Sequence, residues 1–281
     1  NEHRLIGSTD RITKKMRERG GGILKIRLVN KSAELKSYYQ LHVDFETIDS
    51  MGANFINSCL EIISKEFHQL LNDSPQFKES EKKIEVIMSI LSNYTPECIV
   101  ESSLECKISD LGNVDGMSSE EFAFRFKNAF DIADIDINRA VTHNKGIMNG
   151  VDAVLISTGN DFRAVEAGIH AFASRKGKYK SLSDCTIIDN IFKISLRIPL
   201  SVGTVGGITD VHPMVKLSLK LLNSPTSDDL MKIICSVGLA QNFAAVKSLV
   251  TTGIQKGHMK MHLINLLIKQ NATKDQIDKS E

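Results

Sequence analysis

The chain has 281 residues, 42% hydrophobic and 25% charged, with 5 prolines and 4 tyrosines, a composition that describes an ordinary globular protein and excludes a disordered one. Its 35 Lys and Arg against 34 Asp and Glu leave a formal net charge of +1, which gives no field for nucleic acid or an anionic membrane and leaves small-molecule work as the expectation. Cys59, Cys98, Cys106, Cys185 and Cys235 form no CxxC pair and sit mostly inside apolar runs, the pattern of reduced, buried thiols in a cytoplasmic protein.

No uninterrupted apolar run approaches the roughly eighteen residues of a membrane helix, and the start "NEHRLIGSTD" carries neither a signal-peptide core nor an initiator methionine. The chain is therefore expected to lack its true beginning. "STDRITKKMRERGGG" offers Ser8 or Thr9 as the cap of a basic helix that three glycines end. "ILKIRLV" and "QLHVDFET" then alternate, with Leu24, Ile26 and Leu28 and with Leu41, Val43 and Phe45 inward, which predicts two half-buried strands. Residues 51–72 carry a helical stripe of Phe55, Ile56, Cys59, Leu60, Ile63, Phe67, Leu70 and Leu71. "KKIEVIMSILS" and "ECIVESSLECKIS" read as further strands, so that 22–108 would form a compact α+β unit.

Ser118 or Ser119 is placed to cap one helix over "EEFAFRFKNAFDIADIDINRA". "VDAVLIST" reads as a strand buried on both faces, "DFRAVEAGIHAFASRKG" as a helix ended by Gly177, and "IFKISLRIPL" as another alternating strand. Helices follow over "HPMVKLSLKLLN", "SDDLMKIICSVGLAQNFAAVKSLVTTG" and "GHMKMHLINLLIKQ". This second unit is helix-rich, and no 20–50-residue repeat runs through the chain.

Four stretches could carry chemistry. In "IDSMGANFIN" Asp49 precedes a helix start with Gly52, Ala53 and Asn54, which suits either a plain cap or an anion at a helix N-terminus beside a ribose-binding carboxylate. In "PLSVGTVGGITDVHP" Gly203, Gly206 and Gly207 let a backbone approach a phosphate or nicotinamide, or simply turn the chain from strand to helix. Neither stretch is a GxGxxG fingerprint. In "AVTHNKGIMNGVDAVLISTGND" Lys145 and Asp161 bracket the apolar run, with Asn144, Asn149 and Asn160 near its ends. That set suits a structural salt bridge equally with a lysine that polarises a carbonyl while a carboxylate tunes it. His258 and His262 stand one helical turn apart, but without an HExxH glutamate or a third ligand, so no metal is expected.

Taken in order, "DSMGAN", "HNKGIMNG", "TGNDFRAVEAG", "GTVGG", "GLAQN" and "GIQKGHM" resemble 3-hydroxy-3-methylglutaryl-CoA (HMG-CoA) reductases of the bacterial, membrane-free class II type, from about residue 20 to 266. The resemblance implies a ferredoxin-like small cofactor-binding domain inserted in a larger helix-rich substrate domain, with a C-terminal helical flap. The corresponding bounds are a large-domain remnant at 1–21, the small dinucleotide-binding domain at 22–108, the large domain at 109–254 and the flap at 255–281. It also implies reduction of HMG-CoA to mevalonate and CoA by two nicotinamide hydrides, or the reverse oxidation.

By resemblance, Lys145 is the catalytic lysine, Asp161 the aspartate that tunes it, and His258 the acid that protonates the departing thiolate. Arg139, Asn149, Asn160 and His262 belong to the substrate-binding set, and Asp49, Met51, Gly52, Asn54, Gly203, Gly206 and Gly207 to the cofactor site. An aspartate at position 49 favours NADH over NADPH. Family members are homodimers with shared active sites, so self-association is implied, with no nucleic-acid or membrane partner.

The family's glutamate-bearing "TTEG"-like or "TEP"-like segment is not found in these residues, and Glu2 in "NEHRLIG" does not match it. The reading is a reductase seen without its beginning and inactive in isolation. A non-catalytic nucleotide- or CoA-binding module is the second reading, and a generic NAD-dependent dehydrogenase a distant third.

Overall fold

The computed structural model describes residues 1–253, 265–273 and 276. The chain is a mixed α/β protein with two small antiparallel sheets, and it divides into two compact units. The first comprises Asn1–Thr95, Ser157–Asp161 and Ser201–Leu230, and the second Pro96–Ile156, Phe162–Leu200 and Met231–Glu281.

In the first unit, α1 (Glu2–Ser8) and α2 (Asp10–Glu18) lead into β1 (Gly22–Asn30), and β1 pairs antiparallel with β2 (Tyr39–Glu46). Both strands form where their alternation places them, but the register shifts between Ile23 and Lys25, and Leu24 is left unpaired and 66% exposed. The single extra residue breaks the expected inward face: Leu28 is exposed too, while Ile26 between them stays half-buried. Glu2 Oε1 accepts a hydrogen bond from Ile26 N at 2.8 Å, so this carboxylate ties α1 to the hairpin. Gly52, in the left-handed region at φ 71°, starts α3 (Ala53–Asp73), whose Cys59 and Ile63 are buried.

The segment 84–90 has strong strand character yet joins no ladder among the described residues, and Val86, Ile87, Met88 and Ile90 are exposed. The other strand expected for a small domain, β3 (Ile99–Lys107), forms in the second unit and pairs along its whole length with β5 (Ile191–Pro199). Among the described residues, β1 and β2 therefore pair only with each other.

The second unit is built on that three-stranded sheet, in the order β3-β5-β4, with β4 spanning Ser183–Ile188. The β4–β5 hairpin turns at Asp189 and Asn190, both at positive φ, as a two-residue turn compatible with strand twist requires. Phe192, Ile194, Leu196 and Ile198 alternate inward from β5. On them packs α4 (Ser119–Ile135), capped by Ser118 Oγ and presenting Phe122, Phe126 and Phe130 at helical spacing. Phe126 meets Phe192 and Phe243 at ring-centroid distances of 5.4 and 5.1 Å.

The structure corrects two further sequence expectations in the helices. The single helix expected after Ser118 breaks at Asp136, whose extended backbone and Oδ1 bond to Asn138 N start α5 (Ile137–Ser157). "VDAVLIST" is the end of α5 and not a strand: Ala140, Asn144, Ile147, Val151 and Leu155 form one buried helical stripe that continues through Gly146 and Gly150. Both glycines face α8 (Ser227–Val250), and a Cβ on Gly150 would come within 2.9 Å of Val237 O, so their absence of a side chain is what close helix packing needs.

The α6 helix (Phe162–Ala173) and α7 (Pro213–Leu221) form as expected. Of the cysteines, Cys59, Cys185 and Cys235 are buried, whereas Cys106 is half-buried and Cys98, just ahead of β3, is exposed. Among the described residues one helix, α8, is long and apolar enough to cross a membrane, with a mean hydropathy of 1.5 over its most apolar window. Its buried Leu230, Ile234, Cys235 and Leu239 account for much of that apolar character.

Candidate active site

The loop after β2 is shaped by short local bonds. Glu46 Oε1 accepts from Ile48 N, and Ile48 itself stands at φ 52°, a costly conformation for a β-branched residue. The turn projects Asp49 into a knot of three chain segments in the first unit. Asp49 O accepts from Thr204 N (2.8 Å) and Val205 N (3.2 Å), while its Oδ1 accepts from Ser227 N at 2.7 Å. Ser227 Oγ in turn donates to Ile48 O at 3.0 Å.

Asn160 joins the same knot, accepting from Gly203 N at 2.8 Å through Oδ1 and donating to Thr158 Oγ1 at 3.1 Å. Gly203 is indispensable sterically, since a Cβ there would fall onto Met51 N and within 3.0 Å of Ser50 C. Gly206 and Gly207 are different: they sit at φ 81° and 59°, and a Cβ added to either would meet nothing within 4 Å, so it is conformation and not space that selects glycine. Beside them opens a cleft of about 260 Å³ lined by Thr204, Val205, Thr209, Asp210, Lys216, Leu219, Ser224 and Pro225.

In the second unit, α5 turns Lys145 and Asn149 to the exposed side, one helical turn apart, with Arg139 half-buried nearer its start. Asp152, one turn beyond Asn149, is half-buried with Oδ1 shielded and without a hydrogen-bond partner. Its carboxyl is pushed up to about 7, first by burial and then by the hydrogen bond to and charge of Glu166 on α6.

The structure thus gathers Asp49, Met51, Asn160 and Gly203 in one place, with Gly52 and Asn54 at the adjoining start of α3. Asp161 follows Asn160 directly and is half-buried. His258 and His262 lie outside the described residues. Sequence reasoning missed Thr204, Ser227 and Glu166, since a backbone donor or an acid across two helices leaves no spacing signal. Among the described residues no three His, Cys, Asp or Glu side chains gather as metal ligands.

Residues 2–263 match the family model described as hydroxymethylglutaryl-coenzyme A reductase. The chain belongs to that family.

A 3-hydroxy-3-methylglutaryl-coenzyme A reductase of Archaeoglobus fulgidus is 36% identical over 240 residues, 85% of this chain and 51% of the relative. A probable reductase of the same name from Borreliella burgdorferi is 36% identical over 254 residues, 90% of this chain and 55% of the relative. Among solved structures, the HMG-CoA reductase of Streptococcus pneumoniae superposes with a TM-score of 0.80 at 36% identity, over 98% of this chain and 63% of that one. The class II reductase of the same organism, bound to NADPH in open conformations, gives 0.79 at 36% identity, over 89% and 65%. The chain spans about half the length of the curated reductases it matches.

Proposed function

We propose that this chain is the nicotinamide- and substrate-contacting part of an HMG-CoA reductase that converts HMG-CoA to mevalonate and CoA. The observation that carries the reading is the knot in which Asp49, Asn160 and Gly203, from three separate motif stretches, are hydrogen-bonded or packed together. The open ledge at Gly206 and Gly207 beside the cleft fits the flat face of a nicotinamide dinucleotide. Once bound, the nicotinamide supplies a hydride to the thioester carbonyl and, after CoA leaves, a second to the aldehyde.

In this reading Lys145 places its ammonium beside the carbonyl oxygen, where negative charge develops, and Asp161 tunes that ammonium. His258 gives the proton that the departing CoA thiolate needs. Arg139 holds the free carboxylate of the HMG moiety with Asn149, Asn160 and His262. Asp49 retains Oδ2 for a ribose hydroxyl, its Oδ1 being held by Ser227 N.

The whole protein is read as a cytoplasmic homodimer, with nicotinamide binding on 22–108, substrate binding on 109–254 and closure by 255–281. A ferredoxin-like small domain belongs to the same reading, with 84–90 as the segment that would add a strand. The deciding experiment follows HMG-CoA-dependent oxidation of NADH and of NADPH by the full-length protein. Turnover with either coenzyme supports the reading and its preference fixes the role of Asp49, whereas absence of turnover with both overturns it.

A further inference from the structure

Two of the motif stretches, "HNKG" and "GLAQN", meet in the core of the second unit. His143 on α5, Ser183 at the start of β4 and Asn242 on α8 are 8%, 2% and 1% exposed. His143 Nε2 lies 2.7 Å from Ser183 Oγ and 3.2 Å from Asn242 Nδ2, and Ser183 Oγ donates to Asn242 Oδ1 at 2.9 Å; Nε2 carries either a proton, which pairs it with Ser183 Oγ, or a lone pair, which accepts from Asn242 Nδ2, so the three side chains form one polar cluster in which two of the three contacts are hydrogen bonds at a time. The next residue, Asn144, is fully buried; its Nδ2 donates to Lys180 O at 2.8 Å and its Oδ1 accepts from Leu182 N at 3.0 Å. The imidazole is held down to about 4, by burial and then by the positive Arg139, so the ring is neutral at working pH.

Apolar side chains could fill this space against Phe130, whose ring meets His143 at 4.9 Å. A buried polar cluster stabilises one arrangement only when every member is paired, and it penalises any helix rotation or slip that breaks it. The close seat of α8 on α5 at Gly238, where a Cβ would meet Val151 at 2.9 Å, leaves no slack either. Residues 143 and 144 thus fasten the turn that ends in Lys145 to β4, to the 180–182 segment and to α8. A helix turned by one residue would swing Lys145 through about 100°.

We propose that His143, Ser183 and Asn242 are positioning residues, a neutral clamp that fixes the rotation of α5 and hence the direction in which Lys145 and Asn149 are presented to the substrate carbonyl. The inference rests on Lys145 as the oxyanion stabiliser. Misplacement of a catalytic group by about 1 Å costs on the order of 100-fold in rate, and loss of an orienting partner about 10- to 100-fold.

The test is steady-state kinetics on the full-length protein. His143→Leu is expected to lower kcat at least about 10-fold with KM for the nicotinamide coenzyme within about two-fold. His143→Gln, whose amide reaches the place of Nε2, should keep kcat within about three-fold. Cys235→Ala, a cavity in the same α8, should lower the melting temperature while leaving kcat in place. Ser183→Ala removes a single oxygen and serves if His143→Leu does not fold; a fall in kcat of about five-fold or more is expected.

An unchanged kcat in folded His143→Leu or Ser183→Ala, or equal losses in His143→Leu and His143→Gln, overturns the clamp. Lys145→Ala is measured alongside. Retained turnover there overturns the lysine assignment itself, whereas an inactive Lys145→Ala beside a fully active His143→Leu overturns the clamp alone.

Discussion

At Gly203 the backbone of one loop runs directly against Met51 N of another, and any side chain would have to displace main chain. Gly203→Ala is expected to cost about 1–3 kcal/mol, as overpacking does, and to weaken nicotinamide binding with it; a thermal melt and a coenzyme titration read both. The sequence offered two readings for the three glycines of this loop, approach to a ligand or a plain strand-to-helix turn; Gly203 lies against protein backbone, and Gly206 and Gly207 lie open. One sequence does not distinguish those demands, since each ends in the same residue. Asp49 shows a similar limit: the spacing that singles it out does not show that one carboxylate oxygen already serves Ser227 N. Lys145→Ala in the full-length protein is expected to lower turnover at least about 10³-fold and to spare coenzyme affinity, if the ammonium acts only on the developing oxyanion. For His258→Gln the expected outcome is lost thioester reduction with partial mevaldehyde reduction, because only the thioester must release a thiolate; equal losses on both substrates contradict that role.

Among the elements, α5 was the least legible. Its apolar end "VDAVLIST" is rich in strand formers, and the helical period emerges only when the stripe is followed back to Ala140 through two glycines that usually break helices. Packing against α8 overrides that propensity, and no local pattern announces a partner more than 80 residues away. β1 and β2 were legible as strands from their alternation, though not in which residues they bury, and α3, α7 and α8 from their apolar runs and end signals. The acid pair between α5 and α6 has a measurable signature. The Asp152 carboxyl sits at about 7 in the folded chain against 3.8 in the unfolded one, so its contribution to stability is complete below about pH 4 and is lost as pH rises through 7. Asp152→Asn, which imitates the protonated acid, is therefore expected to stabilise the chain at pH 8, by about 1 kcal/mol after allowance for solvent screening, and to give no gain at pH 4. Melting curves at the two pH values decide it, and an equal shift at both contradicts a raised Asp152 carboxyl.

For the whole molecule, the family was within reach of the sequence, while the discontinuity of the compact units leaves no sequence signal: the first runs to Thr95, ahead of β3, and takes back 157–161 and 201–230 from later in the chain. Discontinuous units are set by which strands pair, and β3 prefers β5. The 281 residues alone are expected to bind NAD(P)H without turning over HMG-CoA, a difference that coenzyme fluorescence and a coupled absorbance assay read side by side. The extended segment at 84–90 then governs how such a chain behaves in the tube. Ile87 and Met88, 70% and 72% exposed, lie in a β-prone run with no ladder among the described residues to occupy them, the makings of a self-recruiting cross-β seed. On warming, concentrated protein should form thioflavin-positive fibrils, and Ile87→Lys should lengthen the lag before they appear.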